Sequence, residues 1–206
     1  ALLPVLNSLG DVEAHAGPAL LHLDTGMSRL GLDAREAAIL AGDPSRLRRL
    51  DLRYVMTHLA CADEPAHPLN ETQRARFGAL ADRIAPGVPR SFANSSGIFL
   101  GEGYRSSLAR PGCALYGINP TPGAPNPMRQ VARVEAVILQ IREVAAGDTV
   151  GYGASWTAPE ARPGDRLTLI GGDGNTPHDI AARCGTIGYE VLTSLGRRYA
   201  RAYEGA

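Results

Sequence analysis

Up to about residue 118 the chain alternates short apolar runs with longer amphipathic segments, and each apolar run stops in a cluster of turn residues. Leu20–Leu23 runs into Asp24-Thr25-Gly26, LRYVMT (52–57) stops at His58, and SFA (91–93) stops at Asn94-Ser95-Ser96-Gly97 before ARPGCALYG (109–117). Helices are predicted between the runs. Asp33 and Glu36 have the spacing of a capping box opening a helix through AAIL, and Asn70-Glu-Thr-Gln73 reads as a second cap, with Phe77, Leu80 and Ile84 on one face. Strand, polar strand end, helix and next strand is the grammar of βα units and a parallel sheet.

Residues 119–128, NPTPGAPNPM, hold four prolines and read as a stiff connector. Beyond it, VARVEAVILQIREV (131–144) is too β-branched and too long for a core helix, GD (147–148) makes a turn into VGYGASW, and DRLTLI (165–170) is another strand. TPHDIAARCGTIGYEVLTSL (176–195) carries helical periodicity, and RRYARAY (197–203) reads as a closing strand. The predicted architecture is therefore α/β. A first domain over 1–118 is followed by the 119–128 connector and a β-rich domain over 129–206, with neither internal repeat nor low-complexity tract.

Composition changes this picture little, with one exception. The 206 residues, 44% hydrophobic and 20% charged, suit a globular chain with a sizeable core. A formal net charge of zero gives no electrostatic case for nucleic acid or an anionic membrane, and no apolar run approaches a membrane span. No basic leader opens the chain, and Cys61, Cys113 and Cys184 have neither disulfide-framework nor zinc spacing, so a reducing, cytoplasmic setting without a metal site is expected. The exception is lysine. All 21 basic residues are arginine, so no side chain can form a Schiff base.

In a parallel α/β barrel, ligands are held at the carboxyl ends of the strands. Arg29, His58, Asn94–Ser95 and Arg110-Pro111-Gly112 sit there on consecutive units. Any one of them alone reads as a turn or cap residue; the series reads as a site. Arg110 stands before Pro-Gly, with the amides of Gly112 and Cys113 next in line, in the manner of an anion cradle. Ser95 either caps the following turn, holds a phosphate, or does both. His58 is either a satisfied core histidine or faces a ring or phosphate. Arg29 is placed to hold a carboxylate.

HLDTGMSRLG, VMTHLACADEP, QRARF, FANSSG, ARPGCALYG, VGYGASW and GTIGYEVLTSLGRRYARAY occur in that order, and together they resemble the alanine racemases. The resemblance implies a TIM-type (β/α)8 barrel followed by a β domain, and pyridoxal 5'-phosphate as cofactor. It also implies bacterial interconversion of L- and D-alanine for peptidoglycan supply, in a homodimer that shares its sites. Carried over by position, Arg29 lies near the substrate carboxylate and His58 against the cofactor ring. Asn94, Ser95, Gly112 and Cys113 hold the phosphate, and Arg110 faces the pyridine nitrogen. His22 departs from the family, where a lysine often braces the arginine.

Two larger departures concern the chemistry. The family's KANAYGHG-like stretch, with its Schiff-base lysine, is missing, and so is the GYADG motif with its catalytic tyrosine; Tyr152 belongs to a different strand. A complete barrel takes ~250 residues, so the chain is expected to start within a barrel and to lack an internal piece of the β domain near 157–166. Racemisation needs proton removal on one face and delivery on the other, and the 206 residues alone are expected to be inactive. The alternatives are a non-catalytic phosphate or cofactor binder and an amino-acid racemase of broader specificity.

Overall fold

The computed structural model describes residues 2–143, 165–171 and 175–204. Strands β1 (Val5–Leu6), β2 (Gly17–His22), β3 (Leu50–Met56), β4 (Arg90–Asn94) and β5 (Leu108–Arg110) lie side by side in chain order, each pair of neighbours parallel. Helices α1 (Leu9–Ala14), α2 (Ala34–Gly42) and α3 (Pro68–Ile84) fall between them. Strand order that follows the chain without reversal is how a barrel wall runs, whereas a doubly wound sheet reverses at a switch point. Only part of such a wall is present. Ala19, Leu20, Leu21 and His22 are all buried, so β2 is covered on both faces, as a parallel strand requires. β1 and α1 are too short to have been visible in the sequence pattern.

The capping box at Asp33 is present: its carboxylate accepts the Glu36 amide at 2.8 Å, and Glu36 returns a bond to the Asp33 amide. The second Glu36 oxygen accepts the Leu9 amide at 2.8 Å, tying α2 to the start of α1. The cap expected at Asn70 lies elsewhere. Pro68 occupies the first turn, where its missing N–H costs nothing, and His67 caps the helix through Nδ1 to the Leu69 amide at 3.1 Å. Asn70 is instead buried and donates to the Glu64 carbonyl. Phe77 and Ile84 point into the core, and Phe77 stacks on Phe92 at 5.3 Å, which stacks on Tyr104 at 5.7 Å.

The chain divides into two compact units, residues 1–115 with 119–128, and 116–118 with 129–206. In the second, β6 (Val134–Val137) pairs antiparallel with β7 (Arg166–Ile170), followed by α4 (Pro177–Cys184) and α5 (Gly188–Thr193). The helical stretch at 176–195 is thus two helices: a Thr176–Asp179 capping box opens α4, and Gly185 ends it in the left-handed region. The strand expected over 197–203 is absent, because those residues have no strand neighbour to pair with among the described residues. Of the long run at 131–144, β6 is the regular strand among the described residues 131–143, and Gly147–Asp148, VGYGASW and nearly all of 157–166 lie outside the described residues. No described helix is long and apolar enough to cross a membrane.

Truncating the central stack should be costly. Phe77→Ala is expected to destabilise the first unit by about 3–5 kcal/mol, and Asp33→Ala by about 1 kcal/mol through loss of the cap, both measured by urea unfolding.

Candidate active site

The turn after β2 is shaped by one carboxylate. Asp24 Oδ1 accepts the amides of Gly26, Met27 and Ser28 at 3.0, 2.9 and 3.1 Å, and Oδ2 takes Ser28 again at 3.0 Å. Burial pulls the Asp24 carboxyl upward, and the three amides outweigh it, so its pKa lies below the ordinary value. Ser28 is held in the left-handed region at φ 56. Gly31, at φ +102, has no room for a side chain, since a Cβ would stand 2.9 Å from both the Asp24 amide and His22 Cδ2. Arg29 rides on this turn, exposed, with neither hydrogen bond nor ion pair among the described residues. His22 does not brace it; the buried His22 ring bonds through Nδ1 to Asn7 Oδ1 at 2.8 Å.

At the ends of β3, β4 and β5 stands Arg110, half-buried. The pairing of Asn94 with Arg110 and Ser91 with Leu108 brings its guanidinium across two neighbouring strand ends. Nη1 donates to Ser91 Oγ at 2.5 Å and Nη2 to the Thr57 carbonyl at 2.5 Å. Desolvation lowers its pKa, and no carboxylate pairs with it among the described residues. It nevertheless stays charged, as arginine does, and two of its five N–H donors account for both bonds.

His58 follows Thr57 and lies in the field of this group. Burial first, then Arg110, Arg29 and His22, push its pKa down to about 4, so the ring is neutral near pH 7. Burial, followed by Arg110, also lowers His22, against the opposing pull of Asp24. Ser95 Oγ accepts the Ala114 amide at 3.2 Å, fastening the FANSSG turn to the one after Arg110. Asn94 is already engaged: Oδ1 accepts the Gly97 amide at 2.9 Å and Nδ2 donates to the Leu59 carbonyl at 3.2 Å. A Cβ at the exposed Gly112 would meet nothing within 4 Å, and Cys113 beside it is half-buried.

Sequence reading passed over the polar layer beneath these groups. Thr25 and Thr57 are buried and share a hydroxyl–hydroxyl bond of 2.7 Å. Gln73 of α3, fully buried, donates to the His58 carbonyl at 2.8 Å and to Thr25 Oγ1 at 3.3 Å, and accepts the Ala60 amide at 2.9 Å. The QRARF motif contains it, but nothing in the spacing marks its inward face.

The arrangement is a cationic strand-tip cluster with neutral imidazoles, suited to an anion. Because His58 has a folded pKa of about 4 against an ordinary 6.5, the unfolded chain binds more protons between those values. Stability is therefore expected to be full above pH 6.5, to fall through the window and to level off below it. His58→Gln should flatten that segment of a pH series of urea midpoints.

Residues 3–120 match the alanine racemase N-terminal domain model, and residues 157–203 match the C-terminal domain model. An alanine racemase of Acidiphilium cryptum is 43% identical over 263 aligned positions, covering 97% of this chain and 72% of that protein. One from Rhodospirillum rubrum is 41% identical, covering 100% and 71%. The 263-position alignment is longer than the 206-residue chain, so that relative carries residues with no counterpart here. Among solved structures, the alanine racemase of Bartonella henselae with covalently bound pyridoxal phosphate superposes with a TM-score of 0.86 at 30% identity, covering 98% of this chain and 73% of that one. The biosynthetic enzyme of Pseudomonas aeruginosa gives 0.80 at 29% identity, with the same coverage. A partial barrel of parallel strands with this series of strand-end residues, matched by both domain models, makes the chain a member of the alanine racemase family.

Proposed function

We propose that this chain carries the binding half of a pyridoxal-phosphate alanine racemase, with Arg29, His58, Asn94, Ser95, Arg110, Gly112 and Cys113 as its contact residues, and that these 206 residues alone do not racemise alanine. The observation that carries the reading is Arg110, a half-buried cation across two strand ends without a carboxylate partner among the described residues. Its remaining N–H donors fit a ring nitrogen or an anion, and the open space at Gly112 leaves its backbone approachable by a phosphate. Asn94 takes part through the loop it folds, its side chain being engaged with the backbone. Arg29, unpaired on its turn, is the group for a substrate carboxylate.

The fit is incomplete on one point. A bound pyridoxal phosphate supplies an electron-withdrawing ring that makes an amino acid's α-proton removable. Covalent attachment through a side-chain amine has no residue here, because the chain contains no lysine. A guanidinium facing the ring nitrogen would leave that nitrogen unprotonated and the ring a weaker electron sink. The length of the Acidiphilium cryptum alignment supports residues missing within the matched span, and this reading places an internal piece of them in the second domain, near 157–166. A homodimer, a cytoplasmic setting and a role in peptidoglycan supply belong to the same reading. The missing lysine favours the second reading, a phosphate or cofactor binder without turnover.

Pyridoxal 5'-phosphate should bind reversibly, and Arg110→Met should weaken it about 10–100-fold, the scale of charge-assisted hydrogen bonds, in a titration followed by cofactor absorbance. D-alanine formed from L-alanine above the free-cofactor background would refute the claim of inactivity, and failure to bind the cofactor at millimolar concentration would refute the binding claim.

A further inference from the structure

Every polar atom of the Gln73 side chain is committed, and each to a different piece of the strand-tip ring. Nε2 holds the His58 carbonyl and Thr25 Oγ1; Oε1 holds the Ala60 amide. From Thr25 the bonds continue through Thr57 Oγ1, and the Thr57 carbonyl receives Arg110 Nη2. Hydrogen bonds thus link α3 to the turn that carries Arg29 and to the backbone of His58 and, through the Thr57 residue, to the guanidinium of Arg110.

Packing of the Arg29 turn repeats the same message independently. A Cβ at Gly26 would stand 3.3 Å from Leu69 Cδ1, 3.6 Å from Gln73 Cγ and 3.8 Å from Arg76 Nη1. Residues 69, 73 and 76 lie on one face of α3 by helical spacing, so the turn rests along the helix. Arg76 Nη1 also donates to the Thr25 carbonyl at 3.4 Å. No ladder bond of the sheet sets the separation between the tips of β2 and β3 beyond His22 and Met56 except Leu23 N to the Met56 carbonyl, so side chains of α3 take over there.

We infer that Gln73 is a positioning residue: by clamping the tips of β2 and β3 to one helix, it sets where the substrate-carboxylate group Arg29 stands relative to the cofactor groups His58 and Arg110. The inference rests on the proposed roles of those three residues. Gln73 itself is fully buried beneath these groups. Losing its amide leaves the His58 carbonyl, the Ala60 amide and Thr25 each short of a partner, and the two loops free to part.

The His58 ring reads this geometry without any ligand, because its low pKa of about 4 comes from burial and from the nearness of Arg110 and Arg29. Its midpoint, followed by imidazole NMR, should rise by about 1 unit in Gln73→Leu as water enters and the cations withdraw. Thr25→Val, which keeps shape but loses the hydroxyl, should move it the same way, and Thr25→Ser should restore it. Phe77→Leu, on the same helix but facing the core, should lower stability and leave the midpoint in place. Reversible pyridoxal 5'-phosphate binding should weaken about tenfold in Gln73→Leu, the scale of one lost buried hydrogen bond.

If the wild-type chain does not bind the cofactor, the proposed function fails while the His58 midpoint still tests the clamp. An unchanged midpoint in both Gln73→Leu and Thr25→Val overturns the inference. So does an equal rise in Phe77→Leu, which would make the effect one of general loosening, and so does a wild-type midpoint at the ordinary imidazole value. Should Gln73→Leu fail to fold, the Thr25→Val and Thr25→Ser pair decides.

Discussion

A guanidinium taken partly out of water and balanced only by neutral oxygens sets the character of this molecule's strand-end face. Arg110 gives two of its donors to Ser91 Oγ and the Thr57 carbonyl. Neither partner cancels its charge, so the positive potential survives in a region where solvent screens it poorly. Neighbouring titratable groups respond. His58 and His22 both bind protons less readily than ordinary imidazoles, through burial and the same arginine. The Asp24 carboxylate, which pulls the other way on His22, is turned onto three backbone amides. An anion arriving here meets donors and cations, and relieves an electrostatic imbalance already present.

Holding such a face requires order where the sheet ladder runs out. Buried strands need only apolar covering, which Leu21, Val55 and Phe92 receive from the helices. Beyond them the ladder thins to single bridges such as Leu23 with Leu32, and in each turn a polar side chain helps to organise the backbone. Asp24 gathers the amides after β2, Gln73 pins those after β3, and Asn94 and Ser95 fix the turn after β4. The candidate contact groups ride on turns whose shape is set by different residues, so Arg29 has no hydrogen-bond or ion-pair partner among the described residues although its loop is closely defined.

That division of labour also explains what the sequence could disclose. The strand-end placement of Arg29, His58 and Arg110 was legible because each lies at the end of an apolar run or in the turn that follows it, and an alternating βα pattern places such residues at one end of a sheet. The capping box at Asp33 was legible because its partners lie three residues apart. Asn70 has the same local spacing and was misread, since a proline two residues earlier moved the helix start and turned the side chain inward. Gln73 was illegible for a different reason: Thr25 lies 48 residues away, and no local pattern separates a buried glutamine from a solvated one. The closing strand at 197–203 shows the limit of alternation as a signal, because a strand exists only with a neighbour.

The electrostatics that favour binding also disfavour proton transfer by the groups present. A general base works best with a pKa near the working pH. His58 is pushed down to about 4 and is thereby a weak base, while Arg110 keeps its proton. Cys61 is shifted the other way, by burial and the nearby Glu64 and Asp63, so it stays a thiol. Tyr104, its pKa raised by burial, is stacked against Phe92. None of these groups has a proton affinity suited to lifting an α-proton at neutral pH. Cations that suit a cluster to an anion also suppress the basicity of its imidazoles, so a base for the proposed reaction must come from residues outside it. In a chain without lysine, the proposed binding role and the chemistry of proton transfer are therefore separable on physical grounds, and the charge of this strand-tip face suits the first.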